Sequence, residues 1–371
     1  MRWGRAAVLV AASAVGAGAA ALIVGRVVSD LSVRPRGVAP AAADGLRVHS
    51  VAAGQVELTR AWETQRPGRY ALEWPGGRAV VGEVLQTDPQ SVYRRLESTE
   101  GATLTVGTAV RITPQVYRGD PRSALGLDFT EARVRGELGP MPAWYLPGVR
   151  DLVVIAVHGP GGDRQQTLPL LPLLSSLKVP VLVVTYRNDE GAPRSPDGLG
   201  HFGETEWRDV EAAIRLAVDG GATRVLLYGW SVGATMVLQA AARSAWRETV
   251  RGLVLDSPVL DWQSTVRRQA TRRGVPTALA ELGARAAEGR SQVDPAGIDR
   301  LALGDDLDVP VLLLHGTDDT VAPVAASRRL ARRREDLVLY QEFPEAEHEA
   351  LWNTDPARYE EVLNRFLTPL L

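Results

Sequence analysis

The sequence predicts an α/β protein: an open, mostly parallel sheet with helices on both faces, preceded by a small β-rich domain and an apolar N-terminal helix. Three observations predict it. From Asp151 onward, short Val/Leu/Ile runs alternate with helical stretches, as in a sheet buried on both faces. Between about Leu46 and Gly148 the runs are short, alternating or β-branched, and split by turn signals. Ahead of both, Ala6 to Gly25 is apolar or small throughout and carries no charge.

In chain order, the apolar run comes first. It is long enough to cross a bilayer and is bracketed by Arg2, Arg5 and Arg26. The expectation is an uncleaved single-pass anchor over residues 1–28 that holds the rest of the chain on the extracytoplasmic side, although the flanking arginines are nearly balanced. A cleaved secretory signal is an alternative, because Ala17-Gly18-Ala19 resembles a small-residue cleavage site; against it, Ala20 to Val24 prolong the apolar run. A buried core helix is the third reading. Residues 29–45 contain Arg34-Pro35-Arg36-Gly37 and Ala39-Pro40-Ala41 and read as a linker.

Strands are expected at Tyr70–Trp74, Ala79–Val84 and Thr103–Thr108 of a β-rich domain spanning 46–148, with Pro75-Gly76-Gly77 as a turn. No cluster of acids, histidines or glycines there names a chemistry, so a packing or positioning role is expected. In residues 149–371 the strand candidates are Leu152–Val157, Val179–Thr185, Arg224–Tyr228, Gly252–Leu255, Val309–Leu314 and Leu337–Phe343. A helix at Glu206–Val218 puts Val210, Ala213, Ile214 and Ala217 on one face, and Asp355-Pro356 starts the last helix with a capping acid followed by proline. The stretch from about 259 to 305 has room for a small lid.

Composition narrows the function. The net charge of -2 offers no broad basic field, so nucleic acid is not expected as a partner. With no cysteine, there is no thiolate nucleophile, thiolate zinc site or disulfide framework, and the chemistry must come from oxygen and nitrogen groups.

Gly229-Trp230-Ser231-Val232-Gly233 follows a strand and precedes a helix, the context a nucleophile elbow requires. The turn is so tight that its glycines avoid clashes, and it lifts the serine hydroxyl from the carboxyl edge of the sheet, with the helix N-terminus facing developing oxyanion charge. Such a serine needs a base, and the base needs an acid to fix its tautomer. Asp319 follows one predicted strand and His348 the next, at the sheet edge where α/β proteins bind ligands. Of the five histidines, only His348 follows that acid. His49 reads as a surface residue and His201 as polar decoration near the site. Asp256, after its own strand, is the reserve acid. The Glu204–Asp209 run reads as a salt-bridged helix start rather than a metal site, and Gly161-Gly162 lacks the lysine of a phosphate loop.

From about Trp144 to the C-terminus the chain resembles the α/β-hydrolase superfamily, nearest to its serine aminopeptidase-like and esterase branches. The resemblance is carried by His158-Gly159-Pro160-Gly161-Gly162, the elbow, Asp256-Ser257-Pro258, the loop from His315-Gly316 to Pro323, and His348. It implies the α/β-hydrolase fold and selects Asp319 over its neighbour Asp318 by spacing from the His-Gly pair. It also implies oxyanion donors at position 160 and Val232, but residue 160 is proline and has no N–H. Either Gly161 takes over, or the hole has one donor fewer, which typically costs roughly 100- to 1,000-fold in rate. The expected function is a serine hydrolase cleaving an ester, thioester or amide through an acyl-enzyme on Ser231, with a small-molecule or lipid-like acyl substrate. No metal or organic cofactor is implied. An acyltransferase using the same triad, or a non-catalytic membrane-tethered binding protein of this fold, are the alternatives.

Overall fold

The computed structural model describes residues 45–272, 274–281, 284–285 and 295–371. The anchor, Ala6–Gly25, and nearly all of the linker lie outside them. Among the described residues no helix is long and apolar enough to cross a membrane.

Two sheets organise the chain. The first is six-stranded and antiparallel: β1 (Val48–Ala52), β2 (Gln55–Thr59), β3 (Tyr70–Trp74), β4 (Gly77–Thr87), β5 (Ser91–Gly101) and β6 (Arg111–Thr113), in the order β1-β2-β5-β4-β3-β6. Its core is Val48, Val56, Leu58, Tyr70, Leu72 and Val81, the alternate positions that face one side of a pleated sheet. Thr103–Thr108, expected as a strand, is a turn. Leu104 is buried while Val106 is 68% exposed, and the amide of Val48 bonds the Thr108 carbonyl instead of a regular ladder. The actual strand is the more polar Ser91–Gly101, whose outer half faces solvent and so carries little apolar signal.

The second sheet holds β7 (Thr130–Gly136), β8 (Gly139–Leu146), β9 (Leu152–Val157), β10 (Val181–Val184), β11 (Arg224–Trp230), β12 (Val250–Asp256), β13 (Val311–Gly316) and β14 (Val338–Phe343), in the order β14-β13-β12-β11-β9-β10-β8-β7. The six strands from β9 to β14 are parallel, and the β7–β8 hairpin is added antiparallel to β10. This corrects the expected domain boundary at 148: the small sheet ends at Thr113, and Thr130–Leu146 belong to the large one. The alternating pattern of the hairpin is that of an antiparallel strand pair and cannot tell which sheet it joins. The Trp144↔Val183 register does.

Every residue of β9, Leu-Val-Val-Ile-Ala-Val, is buried, and its side chains alternate between two cores. Val153, Ile155 and Val157 pack with helices α2 (Trp207–Asp219), α3 (Val232–Arg243) and α6 (Val324–Arg333). Leu152, Val154 and Ala156 pack with α1 (Leu171–Ser176) and α7 (Pro356–Leu367). At about 1.5–3 kcal/mol for each large aliphatic side chain removed from water, burial on both faces makes this strand the centre of the domain. Helix α2 buries Val210, Ala213 and Ile214 as its spacing predicts, and the Asp355 side chain caps α7 by accepting from the Arg358 amide at 3.0 Å.

Helices α4 (Trp262–Arg272) and α5 (Pro295–Leu303) come between β12 and β13, the segment expected as a lid. Val259, Trp262, Val266, Ile298 and Ala322 form their own small core beside the loop that carries Asp319.

The two sheets share a seam. Ala350, two residues past His348, is buried in the core of the small sheet. Asn353 Nδ2 donates to the carbonyls of Arg69 at 2.7 Å and Pro114 at 2.8 Å, and the Arg69 amide returns a bond to the Asn353 carbonyl at 2.8 Å. A side chain at Gly68, where φ is +94°, would meet that carbonyl oxygen at 2.0 Å, so the approach requires glycine.

Candidate active site

Strand β11 ends in the buried Gly229-Trp230, and Ser231 caps α3 with φ 52° and ψ -117°, a backbone conformation that L-residues rarely adopt. The flanking glycines explain how the turn survives. A Cβ at Gly229 would lie 2.4 Å from the Gly233 carbonyl oxygen, and one at Gly233 would lie 2.5 Å from the carbonyls of Val157 and His158. The Ser231 amide is tied to the Asp256 carbonyl at 2.9 Å, which pins the elbow to the neighbouring strand.

The three residues expected to act together meet. Ser231 Oγ donates to His348 Nε2 at 2.8 Å, and His348 Nδ1 donates to Asp319 Oδ2 at 2.7 Å. Asp319 is buried and fully engaged: its other oxygen accepts the amides of Val321 at 2.8 Å and Ala322 at 2.7 Å, and His315 Nε2 approaches Oδ2 at 3.1 Å. Burial alone would raise its pKa, but His348 and His315 outweigh it and hold the carboxyl well below the usual carboxylate range. The pKa of His348 goes the other way. Burial works to lower it, and Asp319, Glu349 and Asp256 together push it up to about 9.

Asp256, the reserve acid, lies elsewhere in this network. It accepts from Tyr359 at 2.7 Å and Ser257 at 2.8 Å, has no bond to His348, and is pushed up to about 6 chiefly by burial. His49 is exposed, and His201 is buried between Asp197 and Thr205 at 3.0 and 2.8 Å.

The His158–Gly162 loop lies against Ser231, and together they line an open cleft of about 2080 Å³. Its amides are unequally committed. Gly159 donates to Gln166 Oε1 at 2.8 Å, Pro160 has no N–H, and Gly162 donates to the Gly159 carbonyl at 3.2 Å. Between Gly159 and Gly162, the Gly161 amide is the one donor without an acceptor among the described residues. Gly161 and Val232 both line the cleft, with Gly161 at φ 77°. Beneath the loop, both ring nitrogens of the buried His158 face acceptors, the Gly159 carbonyl at 2.8 Å and Asp189 Oδ2 at 2.9 Å. Burial opposes its charge, but Asp189 outweighs burial and raises the pKa, which favours the charged imidazole beneath the loop.

The prolyl oligopeptidase family model matches residues 195–368, and a domain of unknown function (DUF8805) matches residues 47–113, the extent of the six-stranded sheet. The uncharacterized protein YfhR of Escherichia coli K12 is 25% identical over 246 residues, which cover 63% of this chain and 76% of that protein. Human protein ABHD12B is 26% identical over 232 residues, 57% of this chain and 59% of that one. Among solved structures, the Pyrococcus furiosus esterase Pf2001 aligns with a TM-score of 0.55 at 18% identity over 68% of this chain and 95% of its own, a likeness of fold.

The chain belongs to the α/β-hydrolase superfamily. Within this α/β hydrolase, several groups around Ser231 escaped the motif reading. Gln166 holds the Gly159 amide, Asp189 meets the His158 ring at 2.9 Å, and Asn353 ties the histidine loop to the small sheet. Glu349, next to His348, lines the cleft at φ 56°. Its place in the run Glu345-Ala346-Glu347-His348-Glu349 was visible, but acids in a loop ordinarily face solvent, and nothing in the spacing marked this one as inward.

Proposed function

We propose that this α/β hydrolase is a serine hydrolase that cleaves an ester, thioester or amide through an acyl-enzyme on Ser231. The observation that carries the reading is the continuous chain from Ser231 Oγ through His348 to Asp319, at 2.8 and 2.7 Å, opening on the cleft. Ser231 Oγ attacks the carbonyl carbon while His348 Nε2 takes its proton. Asp319 fixes the Nδ1–H tautomer and stabilises the imidazolium. The amides of Gly161 and Val232 receive the oxyanion, with the N-terminus of α3 behind it. As the bond to the leaving group breaks, His348 returns the proton to that group. Water then attacks the acyl-enzyme, giving its proton to His348, and collapse releases the acid and restores the Ser231 hydroxyl.

The apolar run Ala6–Gly25 adds a location to the proposal: an anchor that keeps the hydrolase at a bilayer, on its extracytoplasmic side, within reach of lipid-like acyl substrates. Fractionation of the full chain, with protease access from either side of the membrane, tests it.

The test of the chemistry is labelling of the full chain by a fluorophosphonate. The reading expects labelling that Ser231→Ala and His348→Ala abolish. A folded parent that does not label would favour a binding protein of this fold. Labelling with product passed to an added alcohol rather than to water would favour an acyltransferase.

A further inference from the structure

We propose that Glu349 is a specificity-determining residue that binds a cationic group, an ammonium, carried by the acyl part of the substrate beside the scissile carbonyl. The inference rests on the acyl-transfer reading of Ser231 and names the substrate class for that site.

Position is the first observation. A methyl group in place of a Gly159 hydrogen would lie 1.8 Å from Glu349 Oε1 and 3.2 Å from Ser231 Cβ. The carboxylate therefore stands at most about 5 Å from the nucleophile's Cβ, inside the range where charges act strongly on one another. Gly159 is what makes room for it.

The second observation is that one oxygen of this half-buried carboxylate has no hydrogen-bond partner. Oε1 is buried without a hydrogen bond, and among the described residues no ion pair reaches Glu349. A buried charge ordinarily has a counter-charge or a full set of donors. Several of its neighbours are themselves acids. Asp256 lies near enough for the two to act on each other, and Asp189, Glu206 and Glu349 all raise the pKa of Tyr186, whose ring forms part of the cleft wall. The cation it acts on is the His348 imidazolium, and no hydrogen bond joins the two.

Chemistry supplies the third step. A bare carboxylate this close opposes the oxyanion that forms during attack on Ser231, so a neutral acyl group meets an electrostatic penalty. An acyl group with its own cation removes that penalty and gains from the attraction. In an α-aminoacyl ester the nitrogen is two bonds from the carbonyl carbon, about 2.5 Å away, and the carbonyl carbon attaches to Ser231 Oγ. The ammonium is then carried within a few ångströms of Ser231 Oγ, the same range in which Glu349 Oε1 stands. It stays bound and takes no part in bond-making. The carboxylate is carried by a residue at φ 56° whose amide donates to Ser257 Oγ at 3.2 Å.

The experiment compares two isosteric substrates on the full chain: the 4-nitrophenyl esters of alanine and of 2-methylpropanoic acid, which differ by an ammonium in place of a methyl group. The ratio of kcat/KM values, divided by the ratio of uncatalysed rates, removes intrinsic reactivity. The parent is expected to favour the alanine ester by roughly 10- to 100-fold, and Glu349→Gln to lose most of that preference. Equal use of both esters by a parent that labels with fluorophosphonate overturns the inference, as does a preference that survives unchanged in a folded Glu349→Gln. If that variant does not fold, the ratio in the parent decides. Absence of labelling in the parent sinks the Ser231 reading itself, which keeps the two failures apart.

Discussion

Two buried aspartates close to His348 have opposite environments. Asp319 accepts two amides and two imidazoles and is held ionised, whereas Asp256 accepts only hydroxyls and is pushed towards its neutral form. Their substitutions should therefore differ. Asp319→Asn is expected to lower kcat by about 10⁴-fold, because the amide misdirects the imidazole tautomer, while Asp256→Asn should cost less than about 10-fold. Steady-state rates on any substrate the parent turns over check the difference. The pH profile belongs to the same scale. His348 must be neutral to take the Ser231 proton, and its pKa is pushed up to about 9, so kcat/KM should rise with pH along a limb near that value. Glu349 is one of the charges that stabilise the imidazolium. Glu349→Gln removes a negative charge, lowers the His348 pKa, and should move the limb to lower pH. An unmoved limb would mean that the carboxylate does not act on His348.

At the scale of elements, the elbow depends on how closely α3 approaches β9. Gly233 stands where any Cβ would press on the carbonyls of Val157 and His158, the residues that lead into the His158–Gly162 loop. Gly233→Ala is expected to destabilise the fold by about 1–3 kcal/mol, the usual cost of overpacking, and to slow fluorophosphonate labelling, because the displaced helix carries both Ser231 and Val232. Chemical denaturation and labelling rates measure the two effects separately. The motif was legible because this contact leaves a mark in the sequence: two glycines at fixed spacing around a serine. The β7–β8 hairpin left no such mark, since an alternating pair of strands fits the edge of either sheet.

At the scale of the molecule, the small sheet bears directly on the catalytic loop. Ala350 is buried in its core, Asn353 donates to Arg69 and Pro114 on its side of the seam, and Tyr117 packs at a tilt against Trp352 with ring centroids 5.9 Å apart. Residues 349–354 are thus gripped immediately after His348. Asn353→Ala leaves two part-buried carbonyls without their donor and is expected to cost about 1–3 kcal/mol of stability. Because the freed segment adjoins His348 rather than the substrate, kcat should fall more than KM changes. Melting curves with Michaelis parameters test this, and a variant with a lower melting temperature but unchanged kcat would show that the seam is structural alone.

By itself the sequence determined the alternation of buried strands and amphipathic helices, the elbow at Ser231, and the order Ser231, Asp319, His348. Each rests on local constraints: side-chain periodicity, a turn only glycine permits, and residues placed directly after strands. It also exposed the proline at position 160 and so directed attention to Gly161. What only the tertiary structure decided is long-range: the sheet joined by the β7–β8 hairpin, the inward turn of Glu349, the bonds of Asp256 to Tyr359 and Ser257, and the grip of the small sheet on the histidine loop. None of these has a sequence period, because each is a meeting of segments far apart in the chain, and the chemistry of a carboxylate depends on what it meets there.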